Sequence, residues 1–123
     1  EGIYIKGLPW KIWARINTKK DSTEKWLGFH LWCTAPKDEN WSCKCTATLR
    51  IVSQKSGVKD VTKKIDQSFN NKSVSWGFSD FITFEHLMDT EKGLYDKDED
   101  IVTLVIDVNT EEQKGTKRKV SIE

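Results

Sequence analysis

The sequence predicts an all-β fold: an antiparallel β-sandwich with one short helix. Three observations point there. Runs of β-branched and aromatic residues recur along the chain with alternating polarity. Clusters of turn-forming residues separate these runs at hairpin-like intervals. Only one stretch carries a helical repeat of apolar residues, which suits a sandwich better than a layered α/β fold.

Taken in order, Ile12 to Ile16 is a short strand candidate, and Leu27 to Thr34 (LGFHLWCT) a strong one. Ser42 to Val52 (SCKCTATLRIV) alternates over its whole length, placing Cys43 and Cys45 on the same face. Val61 to Ile65 is a shorter candidate, and Ile101 to Val108 (IVTLVIDV) is a β-branched run. Turns are expected at Lys19 to Thr23, Ala35 to Asn40, Gln54 to Gly57 and Lys97 to Asp100. The helix is expected to be capped by Ser79 or Asp80, because Phe81, Phe84, Leu87 and Met88 fall at helical spacing, and to end at Asp89. Just before it lies SVSWGF. As a strand it puts Val74, Trp76 and Phe78 on one face and Ser75 and Gly77 on the other. A glycine there either lets another backbone come close at an exposed edge or marks a bulge that turns the chain into the helix.

The 123 residues suffice for one domain with a core of its own. With 20 basic and 19 acidic residues there is no basic stripe of the kind a nucleic-acid binder carries. The basic triplet Lys117, Arg118 and Lys119 reads as a solvated tail. No apolar run approaches membrane-spanning length, so no membrane partner is expected. The sequence begins at Glu1, as a piece of a longer chain does, so the lack of a leader says little about the parent. Three cysteines, Cys33, Cys43 and Cys45, form no even disulfide framework and suit a reducing, intracellular setting. Two sequons, Asn40-Trp41-Ser42 and Asn71-Lys72-Ser73, keep an extracellular reading open.

Candidates for chemistry are few. No nucleophile elbow, phosphate loop, zinc-protease motif or dinucleotide fingerprint is present, so no enzyme activity and no cofactor are expected. His30 and Cys33 lie three apart on a strand and face opposite sides, which prevents a nucleophile–base pair. Asp96 to Asp100 mimics the start of a calcium loop, but Ile101 stands where that loop needs glycine. A C-x-C pair plus one distant cysteine does not make a zinc site. Of the six tryptophans, most are expected in the core; a row of exposed rings is the carbohydrate-binding alternative.

The motifs LPWKI (8–12), LGFHLWC (27–33), NWSCKCTATLRI (40–51), KKI (63–65), WGFSDFI (76–82) and EKGLYDKDEDIVTLVIDV (91–108) occur in an order that closely resembles the meprin and TRAF homology (MATH) domain. The resemblance covers about residues 3–109, leaving 110–123 as a tail, and is nearest to the forms in the herpesvirus-associated ubiquitin-specific protease and in MATH–BTB adaptors. It implies an eight-stranded antiparallel sandwich and a protein-interaction module, whose edge strand pairs with a short extended peptide of a partner. It implies a role in ubiquitin pathways as a substrate adaptor or targeting domain. On this resemblance Ser75, Trp76, Gly77 and Phe78 match the groove strand, and His30 stands where relatives carry a groove aromatic. Ser68 lies where the speckle-type POZ protein has a groove tyrosine. Lys63 and Lys64 match a basic pair, and Asn17 falls near an arginine position. Ser75 replaces the usual Asp, a weaker acceptor, and His30 makes its wall smaller and more polar. The alternative is a MATH domain that packs against neighbouring domains without binding free peptide. The isolated domain is expected to be a monomer, since no coiled-coil heptad accompanies it. The family's first strand precedes the segment matching Ile3 to Trp10. The alternating tail from Thr116 to Ile122 resembles such a strand, so it is expected either to fill that slot or to begin another repeat.

Overall fold

A computed structural model describes residues 3–5, 7–111 and 117–122, with residue 111 and the last stretch described by backbone alone. Eight strands form two four-stranded antiparallel sheets. The first has the order β1 (Ile3–Ile5), β2 (Leu8–Thr18), β3 (Lys25–Cys33) and β6 (Ser75–Thr83). The second has the order β10 (Lys117–Ile122), β9 (Leu104–Glu111), β4 (Ser42–Ile51) and β5 (Val61–Asn70). Helix α1 (Phe84–Met88), a 3-10 turn over Thr90–Lys92, and the small hairpin of β7 (Tyr95–Asp96) and β8 (Ile101–Val102) connect the sheets.

Strict alternation builds the core. On β4, Cys43, Cys45, Ala47, Leu49 and Ile51 point inward and are buried, while the residues between them are more exposed. Leu27, Phe29, Leu31 and Cys33 do the same on β3. Trp10 is wholly buried and joins the two sheets: its ring meets Phe69 of β5 edge-on at 4.9 Å, and its indole N–H donates to the Ile5 carbonyl at 3.3 Å. Arg50 ties the polar face of the second sheet together, with Nη1 2.7 Å from Asp60 Oδ2 and Nε 3.3 Å from Asp107 Oδ2. Cys33, Cys43 and Cys45 are buried and form no disulfide, and burial above all pushes the Cys45 thiol up to about 12.

Four expectations need correction. The helix does not begin at Ser79 or Asp80; Phe81 and Ile82 still belong to β6, are buried there, and Ile82 pairs with Leu27. Thr83 is the cap: its hydroxyl oxygen accepts from the His86 N–H at 3.2 Å. Nor is the core rich in tryptophan. Trp10 alone is fully buried, and Trp13 and Trp32 are each 37% exposed. The strand from Ile101 to Val108 is broken at Thr103, whose carbonyl accepts from the Val52 N–H. Residues 117–122, where the basic triplet reads as a solvated tail, instead run antiparallel to β9, from Lys117 opposite Glu111 to Ile122 opposite Ile106.

Candidate functional site

The site is built around β6, which ends its sheet and leaves one side without a neighbouring strand among the described residues. The phase of its ladder fixes which backbone groups are free. Cys33 N–H donates to the Val74 carbonyl at 2.8 Å. In an antiparallel ladder, bonded and non-bonded pairs alternate. The bonded pairs are then Leu31 with Trp76 and Phe29 with Phe78, and the non-bonded ones Trp32 with Ser75 and His30 with Gly77. The N–H and C=O groups of Ser75 and Gly77 therefore point away from β3, toward the open edge. Such groups are a template for one more strand.

Gly77 has a structural cause inside the domain. A β-carbon there would lie 2.6 Å from His30 Cα and 2.9 Å from His30 Cγ, and would strike the Phe29 carbonyl. The backbone that comes close to this glycine is that of β3. A bulge follows: register shifts between Leu27 and Phe29, so Gly28 faces the kink of β6. Gly28 is bare for a second reason. Asn17 crosses it, its Nδ2 2.6 Å from where a β-carbon would sit, and reaches the Ser79 carbonyl at 3.5 Å.

Side chains wall the open edge on one side. The Trp76 indole N–H donates to the Ser68 carbonyl on β5 at 3.2 Å, bridging the sheets. Lys63 Nζ sits 5.2 Å from the centroids of both Phe78 and Phe81. On the other side His30 rises beside Gly77. Its ring meets Trp13 edge-on at 4.9 Å, and its Nδ1 is enclosed without a hydrogen-bond partner. Burial pulls the His30 pKa below its ordinary value.

Ser75, Trp76, Gly77, Phe78, His30 and Lys63 thus come together around the edge, and Asn17 borders it past the bulge. Lys64 does not join them. It faces the outer side of the second sheet, in a depression shared with Thr46, Thr48, Asp66 and Asp107. Period-two alternation sends adjacent lysines to opposite faces. Ser68 contributes its carbonyl to Trp76, while its side chain shares the outward phase of Lys64. Sequence reading missed Trp13, which packs on His30. The signal was available, since Trp13 has the opposite parity to the inward-facing Trp10 and Ile12.

Among the described residues no group of three His, Cys, Asp or Glu side chains could hold a metal ion, and no helix is long and apolar enough to cross a membrane. The edge is lined by backbone amides, rings and a cation, a set suited to binding an extended chain.

The family model of the MATH domain matches residues 1–108. The chain belongs to the MATH family. It is 35% identical over 92 residues to ubiquitin carboxyl-terminal hydrolase 7 of Drosophila melanogaster, which aligns 73% of this chain with 8% of that protein. It is 32% identical over 85 residues to BTB and MATH domain-containing protein 38 of Caenorhabditis elegans, covering 67% of this chain and 22% of the relative. To ubiquitin carboxyl-terminal hydrolase 7 of C. elegans it is 29% identical over 105 residues, 74% of this chain and 9% of that one. The chain thus spans less than a quarter of the length of these relatives. A MATH domain is a non-catalytic protein-interaction module.

Proposed function

We propose that this MATH domain recruits partner proteins by pairing a short extended segment of them with the open edge of β6. The observation that carries this reading is the outward phase of the Ser75 and Gly77 backbone groups at an uncovered edge. The ligand's alternate side chains would face Trp76, Phe78 and Lys63 on one side and His30 on the other. Affinity per segment is modest, because the ligand must be ordered on binding. The similarity to a ubiquitin hydrolase and to a BTB–MATH protein supports a parent that selects substrates in a ubiquitin pathway. Buried cysteines without a disulfide support an intracellular setting. The domain itself acts as a monomer, and avidity comes from its parent.

A peptide array probed with the folded domain tests the reading. Each hit is re-synthesised with single backbone N-methyl groups, which remove one donor without touching the protein. Alternating loss and tolerance of binding along the ligand is the expected pattern. Binding that ignores N-methylation at every position rules out strand addition. An empty array moves the role to packing against neighbouring domains.

A further inference from the structure

We infer that the open edge of β2, across the sheet from β6, pairs antiparallel with the same edge of a second copy of this domain, centred on Ile16. The inference rests on the reading that the parent supplies avidity, and it uses none of the groups at the β6 edge.

Backbone phase comes first. Leu31 and Phe29 spend their amides on β6, so Trp32, His30 and Gly28 spend theirs on β2. Their partners there are Lys11, Trp13 and Arg15. The Thr34 N–H, which donates to the Pro9 carbonyl at 2.9 Å, keeps the same phase. The N–H and C=O groups of Ala14, Ile16 and Thr18 therefore point away from β3. Strand β1 pairs with Leu8, Pro9 and Trp10. Beyond Trp10, no described strand lies on that side of β2.

Side chains come second. Ala14 and Ile16 share the inner face of the sheet with Phe29 and Leu27, which stand opposite them and are buried. Yet Ala14 is exposed, and Ile16 is 43% exposed. The strand overhangs the core here. Edge strands are commonly guarded by proline, a bulge or an inward-pointing charge. From Ile12 to Thr18 there is no proline, the pairing with β3 is regular, and the inner-phase residues carry no charge.

The third observation is self-complementarity. Three antiparallel registers bring the outward amides of two such edges together. One sets Arg15 directly opposite the second copy's Arg15, which is unfavourable. A register centred on Ala14 drives Thr18 against Trp10, where β1 already pairs. Centred on Ile16, the strands set Ile16 opposite Ile16, Ala14 opposite Thr18, Arg15 opposite Asn17 and Trp13 opposite Lys19, so no like charges meet. Each bonded pair exchanges two hydrogen bonds. A contact along so short a stretch falls below the roughly 1,200 Å² of stable free dimers. The free domain therefore stays a monomer, and the pair forms where the parent holds two copies together. One sheet then runs from β6 of one copy to β6 of the other, five inter-strand steps or about 24 Å. The partner that fits carries two extended segments, one for each end.

The test is disulfide cross-linking of the whole chain under mild oxidation. Cys33, Cys43 and Cys45 are buried, and the unaltered chain sets the background. Ile16→Cys is expected to cross-link about tenfold faster than Ala14→Cys, because bonded partners lie within disulfide reach and the two Ala14 positions stand four residues out of register. A mixture of Ala14→Cys and Thr18→Cys chains is expected to give mixed dimers. Equal rates at all three positions, or the fastest rate at Ala14→Cys, overturn the proposal. Ala14→Pro added to Ile16→Cys removes an outward amide and spares the β2–β3 ladder, so it is expected to abolish the rate advantage with the fold retained. Ala14→Lys, a charge at the same exposed position, is expected to do so without altering the backbone. Undiminished cross-linking in both overturns the pairing. Array hits are expected to bind the Ile16→Cys dimer with unchanged affinity per site, since both β6 edges stay outermost; lost binding overturns this arrangement. An array without hits removes strand addition at β6 and leaves the pairing to be decided by the cross-links.

Discussion

At Gly77 two strands meet so closely that this residue is not free to change without cost. Adding a β-carbon to Gly77 forces β6 off His30 Cα, a main-chain contact that cannot rotate away. Gly77→Ala is therefore expected to lower stability by about 2 kcal/mol or more, read by urea denaturation. A bulkier residue there would confuse lost folding with lost binding, which is why the ligand, not this glycine, should be altered to test strand pairing. His30 bears a proton less readily in the folded chain than in the unfolded one, because burial disfavours the imidazolium. Above pH 6.5, the ordinary value, both states are neutral and the residue has no effect on stability. As pH falls through that value the unfolded chain gains its proton first, so stability drops, levelling off below the lower folded pKa. His30→Phe is expected to remove this part of the pH dependence. Superimposable pH profiles of variant and parent would show that the imidazole is not the cause.

Elements differ in how plainly the sequence announces them. Strands β3 and β4 were legible because one face is buried along their full length, so apolar residues recur at every second position. Strand β5 runs on to Asn70, past the expected end at Ile65, because Asp66, Gln67 and Ser68 lie exposed between Ile65 and Phe69 and hide the alternation. Strand β2 runs from Leu8 to Thr18, with most of its later residues exposed. The helix boundary was misplaced because Phe81 fits both periods; tertiary pairing across the bulge decided for strand. Thr83→Ala is expected to cost about 1 kcal/mol by removing the cap of α1. The split of the lysine pair leads to a binding prediction. Lys63→Glu is expected to weaken a carboxylate-bearing ligand at the β6 edge, whereas Lys64→Glu leaves its affinity within about twofold. Titration of both variants with one array hit decides it; equal losses would place Lys64 at the edge after all.

Across the whole molecule, the antiparallel sandwich followed from the spacing of strands and turns, while the number of strands came from the family resemblance. Which edges are open followed from neither, because edge status depends on pairing between distant segments. Among the described residues strand β6 is open on one side, whereas β9 is covered by residues 117–122. Removing everything after residue 111 is expected to lower stability and to produce concentration-dependent association, since β9 would then present unpaired amides. Denaturation and light scattering of the shortened chain check this; an unchanged, monomeric product would mean that β10 contributes nothing to the fold.

The close approach of β3 and β6 also bears on how such a domain can acquire new partners. Gly77 and the ladder around it are required for folding, so the template for an added strand comes with the sandwich whatever ligand is used. Ser75, His30 and Lys63 border that template, and none of the three belongs to the fully buried core. Variation at those three positions is thus the low-cost route to a changed preference, and a library randomised there should yield mostly folded members that sort into different ligand classes.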